Sequence, residues 1–404
     1  MPGHAGTGGR DVIFAWEQCK AKELFESKSK KDHSDLPVLS ATQENGIVFR
    51  NDLDIDIKFD THALSNYKVV SPGDYIISLR SFQGGFELSE KLGIISPAYT
   101  VFAFNNQEEK RHNNTFWKYL FKRYDFIESL KRLTFGIRDG KAISFTQFST
   151  LKLSFPNFDE QNKIATLLHE LDRTITLHEE KKHQLERLKS ALLQKMFADE
   201  NGYPAVRFRG FDEAWKQCKL GDVGQTYTGL SGKSKEDFGH GKARFVTYMN
   251  IYSNPVSDLN MVEPIEIDER QNEVQYGDAF FTTSSETPEE VGMASVWTGD
   301  EKHTYLNSFC FGYRPISKIN PYYLAYMLNS QSLRRKIVIL AQGISRYNIS
   351  KKSVMEIPAS LPSAEEQNRI GLIFKDLDQS ITLYEHKLEL LKRLKSSLLQ
   401  NMFI

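Results

Sequence analysis

The chain repeats itself. Pro156 to Ile164 returns as Pro362 to Ile370, and the match runs without a gap to Phe197 and Phe403. It includes Glu160-Gln161-Asn162 against Glu366-Gln367-Asn368 and Leu192-Leu193-Gln194 against Leu398-Leu399-Gln400. About half of some forty aligned positions are identical at one constant offset, more than a shared helical composition would produce. Upstream, Ala15-Trp16 and Gln18-Cys19-Lys20 return as Ala214-Trp215 and Gln217-Cys218-Lys219, so each repeat is about 200 residues. The first part of each repeat has diverged except for short islands: Gly73-Asp74 with Ser81 against Gly277-Asp278 with Ser285, and Ile143-Ser144 against Ile349-Ser350. A divergent module joined to a retained helix is the pattern of a variable reader on a constant framework.

The retained segment carries apolar residues in alternating steps of three and four, the 3.5-residue seam of a coiled coil. In the first copy the seam is Leu168, Leu171, Ile175, His178, Lys182, Leu185, Lys189, Leu192 and Met196. In the second it is Ile370, Phe374, Leu377, Ile381, Tyr384, Leu388, Leu391, Lys395, Leu398 and Met402. Each helix would be about 50 to 60 Å long, with too much apolar stripe to leave in water. The nearest partner is the other copy, and a pseudo-two-fold axis makes the pairing antiparallel, with one variable module toward each end. His178 and Lys182 either set the register or snorkel from a loosely packed edge. Asp159, Glu160, Glu365 and Glu366 favour a helix N-terminus through the backbone dipole, after Pro156 or Pro362 ends an extended segment.

The expected fold is therefore mixed α/β: two α/β modules and two long antiparallel helices in an internal repeat. The expected boundaries are 1–155 for the first module, with 1–10 a disordered leader, then 156–198 for the first helix, 199–361 for the second module and 362–404 for the second helix. The first module shows short β-like runs at Leu36 to Ser40, Asp74 to Arg80 and Ala98 to Phe104, then a helix from Asn114 to Arg132. The second shows Arg244 to Tyr248, Ala279 to Thr283, Gly292 to Trp297 and Ser308 to Tyr313, then a helix from Pro321 to about Leu340.

Composition narrows the function classes. The 404 residues carry 52 Lys and Arg against 52 Asp and Glu, so no overall field draws the chain to nucleic acid or membrane. Binding of that kind must be local or shared with a partner. Cys19, Cys218 and Cys310 are scattered, without zinc or disulfide spacing. No uninterrupted apolar run approaches a membrane span, and a reducing cytoplasm is the default compartment. Gly232-Lys233-Ser234 lacks the first glycine of a phosphate loop, which would fall at Tyr227. Asn320-Pro321-Tyr322-Tyr323 resembles an adenine methyltransferase motif but lacks its second proline; Asn320 capping a helix that starts at Pro321 is the plainer account. Nothing in the sequence argues for catalysis or a metal.

One local charge pattern recurs. Arg334, Arg335, Lys336, Arg346, Lys351 and Lys352 lie between Gln331 and Lys352 with no acidic residue, and the first module carries Lys131, Arg132, Arg138 and Lys141 with only Asp139 opposing. A basic helix end, a glycine loop (Gly136 or Gly343) and a Lys/Arg/Asn/Tyr strand can touch phosphates and reach base edges. The candidate DNA-contacting residues are Arg80, Ser81, Gln83, Arg138 and Lys141 in the first module. In the second they are Lys233, Ser284, Ser285, Arg346, Tyr347, Asn348 and Lys351. Leu168, Leu171, Ile175, Leu185, Leu192, Phe374, Leu377, Ile381, Leu388, Leu391 and Leu398 are the candidates for helix pairing and partner docking.

The order of module, helix, module and helix resembles the specificity subunits of type I restriction-modification enzymes. The residues that carry the likeness are the Trp16 and Trp215 starts, Ser78 to Phe86, the loop Gly229 to Lys233, Gly343 to Ser350 and the two Glu-Gln-Asn helix starts. The resemblance implies two target recognition domains, each reading half of a bipartite double-stranded DNA sequence, with the helices as a ruler. It also implies a chain without catalysis or cofactor of its own. Two modification subunits would bring S-adenosylmethionine, and two restriction subunits would bring ATP and Mg. A specificity chain of an orphan methylation system and a coiled-coil adaptor for protein partners are the alternatives.

Overall fold

The computed structural model describes residues 16–42, 45–53, 61–78, 81–133, 143–198 and 201–403. They form two compact units, one within residues 1–178 and 387–404, the other within residues 179–386. The first long helix, Phe158–Lys195, and the second, Ala364–Asn401, each contribute to both units.

In the first unit a four-stranded antiparallel sheet runs in the order Phe25–Lys28, Thr100–Phe104, Tyr75–Ile77, Glu87–Leu88. Successive side chains in a strand face opposite ways, and here both faces are covered. Tyr75, Ile77, Phe102 and Phe104 enter an aromatic core, while Ile76 and Val101 enter a smaller cluster with Leu39, Ile47, Val70 and Ile95. The second unit has the same arrangement: Gly224–Thr228, Cys310–Pro315, Ala279–Thr282, Ala294–Val296. Phe281, Phe311 and Tyr313 face one cluster and Phe280 and Cys310 another. Burial on both faces explains why these strands read as short apolar runs rather than as an alternation. Two modules that differ in most of their residues thus share one sheet.

The units differ around that sheet. The second adds a three-stranded sheet, Val262–Ile265, Phe238–Val246 and Thr304–Leu306, whose last pair is parallel. The first has two-stranded ribbons, Leu39–Thr42 with Gly46–Phe49 and Lys68–Val70 with Gly93–Ile95.

The sequence islands have plain local causes. Glu17–Lys20 pairs with Lys152–Phe155, and Lys216–Lys219 pairs with Pro358–Leu361, so the Trp-x-Gln-Cys-Lys segments close the ribbon that leads into each long helix. Gly73 and Gly277 have φ of +93° and +88°, which only glycine adopts readily. Each turn presents a buried aspartate to a cation on another strand of the same sheet: Asp74 to Lys28 at 2.7 Å, Asp278 to Arg314 at 2.7 Å. Ile143 and Ile349 are buried, while Ser144 and Ser350 cap the short helices Phe145–Phe148 and Lys351–Met355.

Each expected single helix in the modules is two. The first breaks into Asn114–Leu120 and Tyr124–Leu133, and the second into Pro321–Leu328 and Gln331–Ile339. In the second unit the Ser330 hydroxyl accepts the Leu333 amide and starts a new helix, while the Asn329 amide donates to the carbonyls of Ala294 and Ala325. In the first, the bend at Phe121 lets Phe116, Leu120, Phe121, Phe126 and Leu130 all reach one core. Apolar periodicity continues across both bends, so it conceals them.

The long helices pair as the seam requires. Every seam position on each is buried or half-buried. In the first unit Leu171 and Ile175 cluster with Leu388, flanked by Leu391 and Leu398. In the second, Leu185 and Leu192 lie against the cluster that holds Phe374 and Leu377. Ion pairs fix the direction: Asp172 with Lys395 at 2.6 Å in the first unit, Lys182 with Glu385 at 3.0 Å and Lys189 with Asp378 at 2.5 Å in the second. As numbers rise along one helix they fall along the other, so the pair is antiparallel. Lys182 makes a cross-helix ion pair, whereas His178 bonds the Thr174 carbonyl of its own helix at 2.9 Å.

Candidate nucleic-acid interface

In the second unit the strand Ala279–Thr282 leads through Thr283 into Ser284–Ser285, which pairs antiparallel with Tyr347–Asn348. The backbones of Gln342 and Asn348 exchange hydrogen bonds of 3.0 and 2.8 Å and close a tight hairpin. Gly343 sits in it at φ +145°, where a Cβ would lie 2.0 Å from the Arg346 carbonyl oxygen. The hairpin therefore needs glycine there, and it holds Ile344, Ser345 and Arg346 exposed at its tip. Asn348 is exposed too, its amide donating to the Arg346 carbonyl at 3.3 Å, while Tyr347 is half-buried against the core.

Other side chains adjoin this pairing. The Tyr248 hydroxyl donates to the Ser284 carbonyl at 3.2 Å, and the Tyr248 and Tyr252 rings stack. Tyr252 and Ser285 both donate to Glu290, and donors from Tyr252, Thr287 and Ser285 hold that carboxyl below its ordinary range. Thr283 bonds the carbonyl of the exposed Phe309. Guanidinium, amide, hydroxyl and aromatic groups on a braced hairpin are the chemistry that reads base edges and phosphates.

The sequence-based candidates divide on this geometry. Ser284, Ser285, Arg346, Tyr347 and Asn348 come together, and Lys351 opens the helix that follows. Within that group Ser285 is buried, with its hydroxyl spent on Glu290. Lys233 stands apart: its ammonium lies 3.0 Å from Asp268, with its side chain 11% exposed, so it braces its own loop. Asp268 is held well below the usual carboxylate range by bonds from Arg270, Lys233 and Gln271. Two members of the basic run are also committed inside the protein. Arg334 donates to the carbonyls of Gly292, Glu289 and Val291, and Lys336 to that of Pro358. In the first unit Ser81 is buried and its hydroxyl accepts the Ser78 amide at 2.7 Å, while Gln83 is exposed. Arg80, Arg138 and Lys141 lie outside the described residues.

The retained segments build a second surface. At each long-helix start the Glu-Gln-Asn triplet interlocks with the helix that precedes it in the same unit. Gln161 accepts the Asn113 amide at 3.1 Å and donates to the Pro156 carbonyl, and Asn162 accepts the Asn113 side chain at 2.6 Å. Gln367, Asn320, Pro362 and Asn368 repeat those bonds at 3.1, 3.0 and 2.8 Å. Asn113 and Asn320 cap the helices at Asn114 and Pro321. The indole nitrogens of Trp16 and Trp215 donate to Glu160 and Glu366. Glu366 is buried and also takes Arg207 through two bonds of 2.7 and 2.8 Å. The triplet is thus a joint between module and helix, beyond the dipole role expected for the acids.

Pairing does not account for every identity between the helices. Thr176, Leu177, Arg187, Leu188, Ser190 and Gln194 are exposed, and so are their counterparts Thr382, Leu383, Arg393, Leu394, Ser396 and Gln400. Leu177 and Leu383 are 62% and 51% exposed, and Leu188 and Leu394 are 47% and 49% exposed. Apolar side chains retained in both copies yet left in solvent mark an outward-facing surface. Seam periodicity missed these residues; identity off the seam was the signal that could have found them.

Residues 13–187 and 212–393 each match the type I restriction modification DNA specificity domain. The chain belongs to that family. A similar curated protein of Methanocaldococcus jannaschii is named for the specificity subunit of the type I restriction enzyme MjaX; it is 24% identical over 299 residues, 70% of this chain and 65% of that relative. The match thus spans a little less than two thirds of that family member's length. The fold is shared with the S subunit of a type I restriction-modification system from M. genitalium, at TM-score 0.55 and 16% identity over 98% of both chains. It is also shared with the HsdS subunit of Thermoanaerobacter tengcongensis, at TM-score 0.51 and 17% identity over 98% of both. Among the described residues of this family member no helix is long and apolar enough to cross a membrane, and no cluster of three or more His, Cys, Asp and Glu could hold a metal.

Proposed function

We propose that this chain is the DNA-specificity subunit of a cytoplasmic type I restriction-modification assembly. Its two modules, 1–155 and 199–361, each read one half of a bipartite double-stranded target. The helical segments 156–198 and 362–404 carry the modules and dock two copies of one modification subunit. The observation that carries this reading is the exposed identity of the two helices: two equivalent outward surfaces on one chain fit two copies of one partner. The hairpin face of Ser284, Arg346, Tyr347 and Asn348 is the reading surface of the second module. Arg346 can pair with guanine and Asn348 with adenine, the pairings their donor geometry favours. S-adenosylmethionine enters with the modification subunits, and ATP and Mg with two restriction subunits. This chain supplies recognition and makes no bond itself.

The test is co-expression with the neighbouring methyltransferase subunit in a host free of DNA methylation, followed by genome-wide mapping of methylated adenine. A bipartite motif that appears only when this chain is present is the expected result. A folded, bound partner that yields no motif would sink the proposal and leave a protein-binding adaptor as the better account.

A further inference from the structure

In each unit a tyrosine, an aspartate and a lysine meet where a module helix rests on the paired long helices. In the first unit the Tyr119 hydroxyl donates to Asp172 Oδ2 at 2.8 Å. Lys395 reaches the same carboxylate at 2.6 Å and lies 5.8 Å from the centre of the Tyr119 ring. In the second unit the Tyr326 hydroxyl donates to Asp378, Lys189 lies 2.5 Å from that carboxylate, and its ammonium is 5.5 Å from the Tyr326 ring. The helices exchange roles. The first supplies the aspartate in the first unit and the lysine in the second, and the second helix does the reverse.

Packing alone does not call for these groups. Tyr119 and Tyr326 are buried, and a phenylalanine would fill the same space without taking a hydroxyl out of water or holding a half-buried carboxylate and ammonium beside it. What the trio adds is direction, because hydrogen bonds fix an angle that apolar contact leaves loose. Both tyrosines follow their capping asparagines, Asn113 and Asn320, by six residues, although the surrounding module sequence has diverged. Each module is therefore held to the helices at two places: the asparagine joint at the helix start, and the trio farther along the same module helix.

We infer that the two Tyr–Asp–Lys trios set the rotation of each module on the helix pair, and so fix how many base pairs may separate the two half-sites. This rests on the bipartite reading proposed above. Each base pair adds about 3.4 Å of rise and about a tenth of a turn. A gap is therefore measured in angle as well as distance, and an angular stop at each module is what rejects a gap one pair too long or too short. Tyr119, Tyr326 and their partners are positioning residues that touch no base.

The experiment uses the full chain in complex with its methyltransferase, on duplexes that carry the mapped motif with its natural gap, one pair fewer and one pair more. Tyr326→Phe and Tyr119→Phe should keep the base preferences of both half-sites and raise methylation at the altered gaps about tenfold relative to the natural one, as expected for one charge-assisted hydrogen bond lost. Should Tyr326→Phe abolish methylation altogether, Lys189→Gln carries the same test from the outer edge of the trio. Unchanged gap discrimination with intact methylation overturns the inference. So does a changed base preference at an unchanged gap, which would assign the tyrosine to the reading surface. If the wild-type complex itself recognises no bipartite motif, the proposed function fails instead.

Discussion

The joints at the two long-helix starts share one core of asparagine, glutamine and tryptophan bonds, whereas the surfaces built on the two modules differ. Gln161 and Gln367 make equivalent bonds to Asn113 and Asn320, and Asp172–Lys395 is the repeat image of Asp378–Lys189. By contrast, the second module carries a three-stranded sheet where the first has two short ribbons joined by a single parallel bridge, Val38 to Ile94. Even the matched islands Gly-Asp and Ile-Ser inside the modules serve turns and caps rather than the exposed face. On the proposed function, the duplication has preserved what mounts a reader and left free what the reader touches.

If that division is right, damage to the mount should cost stability, and damage to the face should cost specificity alone. The largest effect expected is from Phe374→Ala. Its ring is fully buried between Phe197 and Tyr326, and its loss should destabilise the chain by about 3 to 5 kcal/mol in denaturant unfolding. Gln367→Ala and Gln161→Ala should each cost about 1 to 3 kcal/mol by leaving buried partners unsatisfied. Similar losses in the two copies would sharpen the comparison, and a loss in only one would break it. Leu177→Asp with Leu383→Asp changes exposed positions, so stability should move by no more than about 0.5 kcal/mol. Co-elution with the methyltransferase should nevertheless be lost, and retained binding would remove the outward leucines from the docking surface.

The smallest effect separates the copies by pH. His112 packs under Phe104 and bonds Gln161 in the first unit, where the second has Ile319. Burial pushes its imidazole below the ordinary value, against the opposing pull of Glu108. The unfolded chain then binds the proton more readily than the folded one. The stability this site contributes is complete above the ordinary histidine range and declines as pH falls through that value toward the lowered one. His112→Ile should flatten the slope of unfolding midpoint against pH between about 7 and 5; an unchanged slope would show that His112 does not couple to folding.

Much of the framework was legible because it obeys a period. Seam spacing named positions that are buried or half-buried on both long helices, and the duplication implied an antiparallel partner. The breaks at Phe121 and Asn329–Ser330 were not legible, since they depend on a capping serine and on core shape while the apolar spacing continues through them. At the candidate site, recurrence drew attention to Ser284, Ser285 and the Gly343 loop, and the hairpin brings them together. Charge alone was a poor guide. Lys233, Arg334 and Lys336 read as cationic contacts, yet each has a partner inside the protein that lies far from it in sequence. Tyr248, Tyr252 and Phe309 were missed because no repeat or period marks them; they bond Ser284, Glu290 and Thr283, beside the strand that pairs with the hairpin, only through the fold.

The most direct test of this division is to map the methylated motif of the Arg346→Ala, Asn348→Ala double variant beside that of the wild-type chain. Base preference should relax in one half-site, by about 1 to 3 kcal/mol of discrimination per lost contact, while the other half-site and the gap stay as they were. Equal weakening across all sequences, or a change in both halves, would contradict the claim that the hairpin of the second module reads its own half of the target.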